Sequence, residues 1–145
     1  MKLITFTGAG TFIFLAALFL KNNHPAQSTL YGTKWTLKSV AADSGSTVVH
    51  GKAYLMLDKA KSSAGGNRGC NAFGGTVKTN GDTINFSSLF STKMYCEGVQ
   101  PLENLYFSHL EKVNRYVIKG NTLQMYNGDS LLLRFTNMAE KRLQQ

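Results

Sequence analysis

What this chain lacks narrows its chemistry first. It has only two cysteines, Cys70 and Cys96, and three histidines, His24, His50 and His109, in 145 residues. Neither cysteine belongs to a Cys-x-x-Cys pair, and no histidine stands at ligand spacing, so nothing supports a closed zinc site with its four ligands. Acids number eight against sixteen basic residues. Those nearest the cysteines, Glu97 and Glu103, are isolated, so the paired carboxylates of glycoside chemistry are missing. No Gly-x-Ser-x-Gly elbow is present. The glycines of Gly65-Gly66-Asn67-Arg68-Gly69 are not followed by Gly-Lys-Ser or Gly-Lys-Thr, nor by the start of a helix, as a nucleotide loop would require. They read instead as a tight backbone crossing. No internal repeat of solenoid length occurs. The expectation is a protein that is not an enzyme and holds no cofactor and no metal.

Long apolar runs are also scarce, and the one present is at the N-terminus. Residues Leu3 to Leu20 carry no charge, follow Lys2, and precede the polar stretch Lys21-Asn22-Asn23-His24-Pro25. That is the layout of an export signal. Ala26-Gln27-Ser28 offers small residues two apart, so residues 1–28 are expected to be a cleaved signal peptide. The alternative is an uncleaved anchor, since the run approaches the length of a spanning helix and Lys21 could act as a stop. No cysteine lies near residues 20–30, which closes the lipoprotein route. The expected location is the periplasm or cell envelope, or secretion, with membrane attachment only if the segment is uncleaved.

Removal of that segment leaves fourteen basic residues against eight acids, in a chain of single-domain size. No run of four basic residues appears; Lys34, Lys38, Lys52, Lys59, Lys61, Arg68, Lys78 and Lys93 are scattered along strands and loops. They read as a solvated basic surface, and nucleic acid is not the expected partner.

The rest of the chain is punctuated by turns. Thr33 to Val40 alternates, with Trp35 and Leu37 on the side expected to face the core. Ala41 to Lys52 reads as a loop, and Ala53 to Asp58 as a second strand. Val77 and Ile84 flank Asn80-Gly81, a dipeptide suited to a two-residue hairpin whose turn positions both take positive φ. In Pro101 to Val113, Leu102, Leu105, Tyr106, His109, Leu110 and Val113 recur at intervals of three and four, with Glu103, Asn104, Glu111 and Lys112 placed opposite. This is the one amphipathic helix, with Pro101 in its first turn and Glu103 where the dipole favours an acid. A meander follows through Tyr116–Ile118, Leu123–Met125 and Leu131–Phe135. Residues 138–145 are expected to be a polar, frayed tail. Short strands at regular spacing with a single helix indicate a mainly β fold, a sandwich or a closed barrel with one end covered.

Cys70 and Cys96 could form a disulfide, hold a metal, or remain free. Export into an oxidising compartment favours the disulfide, which would close a loop of about 26 residues and constrain the unfolded chain by about 3.5 kcal/mol.

Two segments around these cysteines carry a resemblance. Gly69-Cys70-Asn71-Ala72-Phe73-Gly74-Gly75 and Thr92-Lys93-Met94-Tyr95-Cys96, with a Trp35-Thr36-Leu37 first strand and a helix bearing Glu103, Phe107 and Leu110, resemble the META domain, or HslJ-like, family of small envelope proteins. The match runs from about Tyr31 to Thr136, within an expected domain of residues 29–137, and its motif positions are Gly69, Cys70, Asn71, Phe73, Gly75, Thr92, Met94 and Cys96. The resemblance implies a small antiparallel barrel of lipocalin-like topology with a helix packed at one end. It implies no activity. One departure stands out: Tyr95 replaces a small residue common in the family, so either its bulk lies on the solvent side or the local packing differs.

The functional expectation is therefore a non-enzymatic binding or interaction module, a monomer whose partner is an envelope protein or a small ligand. An alternative is a small-molecule carrier with a cavity inside the barrel lined by Tyr54, Met56, Met94, Met125 and Phe135. A single-strand nucleic-acid binder using basic and aromatic side chains is a third reading, against which export argues.

Overall fold

The computed structural model describes residues 28–137. The expected signal peptide, Ser28 apart, and the polar tail of residues 138–145 lie outside the described residues. The order of elements is β1 (Trp35–Ala42), β2 (Gly45–Val48), β3 (Tyr54–Asp58), β4 (Ser63–Asn67), β5 (Ala72–Asn80), β6 (Thr83–Ser91), α1 (Gln100–Lys112), β7 (Arg115–Lys119), β8 (Thr122–Asn127) and β9 (Ser130–Thr136). All strand pairings are antiparallel and consecutive from β3 to β9, and pairing of β1 with both β3 and β9 closes the nine-stranded sheet into a ring. Among the described residues, the chain forms the expected mainly β, barrel-like fold with one helix.

Alternation puts the inward residues together. Trp35, Leu37, Val40, Leu55, Leu57, Val77, Ile84, Leu123, Met125, Leu133 and Phe135 are all buried in one cluster. The ring is uneven. Strands β8 and β9 pair along nearly their whole length, whereas β6 and β7 share one paired position, Thr83 with Arg115. The helix packs against β6, β1 and β9, and so covers one end of the barrel beside that weak seam. Tyr106 and Leu110 from α1 are completely buried. The Tyr106 ring meets Phe73 and Phe135 edge-on at 5.8 and 5.9 Å, a favourable aromatic geometry.

Three readings need correction. Ala41–Lys52 is not all loop: β1 continues to Ala42 and forms a hairpin with β2, in register from Ser39 with Val48 to Ala42 with Gly45. All four β2 residues are exposed, so no apolar alternation marked the strand. In the β5–β6 hairpin the paired residues are Asn80 and Thr83, so the two-residue loop is Gly81-Asp82. Positive φ is required at Gly81 alone (φ 59°) and not at Asn80. Finally, Met125 and Phe135 are fully buried while Met56 and Met94 are exposed. Interior position and surface position separate them, so the five proposed cavity-lining residues do not share one cavity.

Candidate functional site

The densest polar cluster lies at the helix end of the barrel, where the two cysteine-bearing segments meet α1. The β4–β5 connection begins with Arg68, whose backbone N–H donates to the Asn71 carbonyl at 2.8 Å, while the Gly69 N–H donates to Asn67 Oδ1 at 2.7 Å. Gly69 has φ +136°, and a Cβ there would stand 2.8 Å from Val99 Cγ1. A side chain is therefore excluded by backbone conformation and by space. This turn aims two successive amides, Cys70 N–H and Asn71 N–H, at the carboxylate of Glu103.

Glu103 is completely buried. Its Oε1 accepts from the Cys70 and Asn71 amides at 2.8 and 2.6 Å, and its Oε2 accepts from Asn71 Nδ2 at 2.8 Å and Gln100 Nε2 at 3.2 Å. Burial alone pushes this carboxyl up. The hydrogen bonds from the Asn71 backbone, the Asn71 side chain and the Cys70 backbone, together with the Arg68 charge, more than offset it, and the group titrates below its ordinary value of 4.5. The reading of Glu103 as a residue on the polar face of the helix is overturned. Residues 103, 106, 110 and 113 follow one face of the helix, and all four are buried; the carboxylate belongs to that stripe because it has donors waiting beneath it.

Asn71, also fully buried, joins the two segments. Its Oδ1 accepts from Thr92 Oγ1 at 2.9 Å and from the Met94 amide at 2.7 Å, and its Nδ2 donates to the Met94 carbonyl at 2.9 Å as well as to Glu103. Both donors and both acceptor sites of the amide are thus engaged. The Cys70–Cys96 disulfide lies alongside, with α-carbons 6.2 Å apart, a separation ordinary for such a bridge. A hydrogen-bonded network and a covalent link therefore secure the same two segments.

Arg68 is expected from the sequence among the scattered surface cations. It is instead 6% exposed: Nη2 donates to Ser91 Oγ at 2.9 Å, and the guanidinium lies 4.5 Å from the centre of the Phe107 ring. Nothing in the sequence pattern separates it from the exposed lysines, because its burial follows from the turn geometry rather than from alternation.

The remaining motif positions fall into place around this centre. Phe73 is buried against Tyr106 and Phe107. Gly75 sits at the register shift between β5 and β6, where Leu89 and the Ser87 carbonyl crowd the place a side chain would take. Thr92 contributes its hydroxyl, whereas Met94 contributes its backbone and leaves its side chain 55% exposed. Tyr95 is on the solvent side, the first of the two alternatives for its bulk. The Gly65-Gly66 pair lies within β4, with the Tyr54 carbonyl and the Phe73 ring against Gly66, which is the tight crossing expected of it. His109 is buried and pairs through Nε2 with the Ala41 carbonyl at 2.8 Å. A carbonyl can only accept, so Nε2 carries the proton.

In the sequence Asn71 and Thr92 are visible as motif positions without roles, and the burial of Glu103 and Arg68 is not visible there. The available signal for Glu103 was its position three and seven residues before Tyr106 and Leu110 on the helix.

No group of three or more His, Cys, Asp or Glu side chains able to hold a metal ion occurs among the described residues, and none of their helices is long and apolar enough to cross a membrane. Chemically, the cluster is a hydrogen-bonded clasp: the carboxylate has four donors and the Asn71 amide has no vacant site, while the buried Arg68 Nε has no hydrogen-bond partner among the described residues.

Comparison with known proteins agrees with the fold. The chain aligns with an NMR structure of a protein from Burkholderia xenovorans at a TM-score of 0.64 and 20% identity, covering 81% of this chain and 98% of that one. A second NMR structure aligns at a TM-score of 0.56 and 17% identity, covering 78% of this chain and 92% of that one. At such identities these structures speak for the fold alone. No curated protein matches the chain. The family model of the META domain matches residues 28–140, taking in both cysteine segments, the helix and every strand, and the chain therefore belongs to the META domain family.

Proposed function

We propose that this protein is an exported, non-enzymatic META domain that serves as an interaction module, with its contact surface on the segment that the clasp holds in place. The observation that carries this reading is a contrast within residues 90–95. Their backbone is anchored by Asn71 and by the disulfide, yet Phe90, Met94 and Tyr95 are 68%, 55% and 81% exposed. Large apolar side chains held rigidly in solvent lose little conformational freedom on binding, and such patches mark interaction sites more often than chance exposure. The buried carboxylate, Glu103, is engaged within the fold by four donors. The disulfide fits an oxidising compartment.

Site-specific photocrosslinking in intact cells tests this. A photoreactive residue at Tyr95 should give a discrete adduct with an envelope protein, weakened by Phe90→Ser, while the same residue at Ser46 on the exposed β2 hairpin should not. Identical patterns from both positions, or none from either, contradict the reading.

A carrier role has one observation in its favour. An open groove of about 740 Å³ runs beside β3 and β4, lined among others by Tyr31, Tyr54 and Met56. Two of the five residues expected to line a cavity are there, on a groove open to solvent.

A further inference from the structure

The topology gathers the lysines that look scattered in the sequence. Strands β3, β5 and β7 all run toward the end of the barrel opposite the helix, so the β3–β4, β5–β6 and β7–β8 turns lie together there. The segment before β1 crosses this same end. Ser28 N–H donates to the Gly120 carbonyl, Gly32 N–H to the Leu57 carbonyl, and the Tyr31 hydroxyl pairs with Thr79 Oγ1 at 2.7 Å, which ties it to β7–β8, β3 and β5 in turn. Lys34, Lys59, Lys61, Lys78 and Lys119 are brought to this end, and all five are exposed. Only Asp58 and Asp82 oppose them, and Asp58 already faces Lys61 at 3.8 Å. Around the helix end, Lys52, Lys93 and Lys112 are matched by Asp43, Glu97, Glu111 and Asp129, while Lys38, Arg115 and Arg134 lie along the wall between the two ends. The positive charge is therefore polarised along the barrel.

Both chain ends leave at the lysine-bearing end, because the Asn137 N–H donates to the Asn121 carbonyl beside the β7–β8 turn. The sequence before Ser28 holds the uncharged run Leu3–Leu20. Only the seven residues Lys21–Gln27 separate that run from the barrel, a reach of at most about 25 Å. During export, or throughout if the run is retained, this end is the one held against the bilayer.

We propose that the lysine-ringed end of the barrel docks on an anionic lipid surface, leaving the helix end and its exposed Phe90, Met94 and Tyr95 directed away from the membrane. Charge complementarity and the exit of the chain select the same face. Lysines near a charged bilayer act almost independently and are screened by salt. The proposal rests on the reading of an exported protein; export itself is tested by cell fractionation, whereas docking is tested with purified protein, so the two can fail separately.

The experiment is flotation of the full chain with vesicles of phosphatidylcholine alone and with about a third phosphatidylglycerol, a content giving a strongly negative surface. The ratio of the two partition coefficients cancels whatever the apolar run contributes. At about 0.1 M salt the ratio should exceed roughly tenfold and should fall toward one near 1 M. Replacing Lys34, Lys59 and Lys119 by Gln should lower it about tenfold, while replacing Lys52, Lys93 and Lys112 by Gln, the same change in net charge, should alter it less than about twofold. Equal losses in the two variants would show a diffuse charge effect and overturn the proposal, as would a ratio near one for the unmodified chain. Displacement from the vesicles by single-stranded DNA at lower concentration than by anionic lipid would also overturn it, in favour of a nucleic-acid surface.

Discussion

The two ends of this barrel are held by different means. At the helix end the strands β4, β5 and β6 stop short of a regular ladder, and the backbone groups left over are taken up by side chains: two amides by Glu103, and the amide and carbonyl of Met94 by Asn71. At the other end, hairpins close through backbone turns, with Gly81 and Gly120 supplying positive φ at the β5–β6 and β7–β8 hairpins. Among the described residues, charged side chains at the lysine end make only exposed contacts, Lys34 over the Tyr54 ring at 4.2 Å and Lys61 with Asp58. Polar residues buried at one end hold the fold together, and polar residues exposed at the other leave it almost indifferent to their identity.

The largest expected effect is at Glu103. Glu103→Gln would turn an amide NH₂ toward groups that are all donors, so the variant should lose about 3–5 kcal/mol, as for a buried charge deprived of its match; urea unfolding at neutral pH checks this. Next comes the bridge. Cys70→Ser should lower stability by about 3.5 kcal/mol in the loop-entropy account, or roughly 10–15 °C in melting temperature for a domain of this size. The circular dichroism of the folded state should be retained, because Asn71 still joins the two segments.

A smaller and graded effect comes from pH. The folded-state carboxyl of Glu103 titrates below its ordinary value, so its contribution is fully present above about 4.5 and is lost as the pH falls through the lower, folded value. The stability gap between the unmodified protein and Glu103→Gln should be constant from neutrality down to that point and shrink below it. A gap that is already closing near pH 6 would mean that the carboxyl is raised, and the clasp as described would be wrong. Smallest of all is the opposite end: Lys61→Ala, which breaks an exposed pair with Asp58, should change stability by less than about 1 kcal/mol.

The same contrast explains how much could be read from the sequence. Trp35, Leu37, Val77, Ile84, Leu123 and Met125 alternate, and the Gly-centred turns between strands are local signals, so the strands, the helix and the hairpin topology were legible. Strand β2 was not, because none of Gly45–Val48 is buried and its pairing with β1 leaves no apolar trace. The motif positions were visible through resemblance, but their physical task was not. Whether Glu103 faces solvent or core depends on where the β4–β5 turn points its amides, and that is fixed by contacts more than thirty residues apart. Arg68 is hidden for the same reason: only the folded chain places Ser91 and the Phe107 ring around it.

The central claim is that Asn71 and Glu103 act as one structural unit. A double-mutant cycle with Asn71→Ala and Glu103→Gln, read by chemical unfolding at neutral pH, tests it most directly. The account predicts that the double variant is less damaged than the sum of the two single variants by about 1–3 kcal/mol, since either change alone disables the shared network. Additive losses, within about 0.5 kcal/mol, would contradict it.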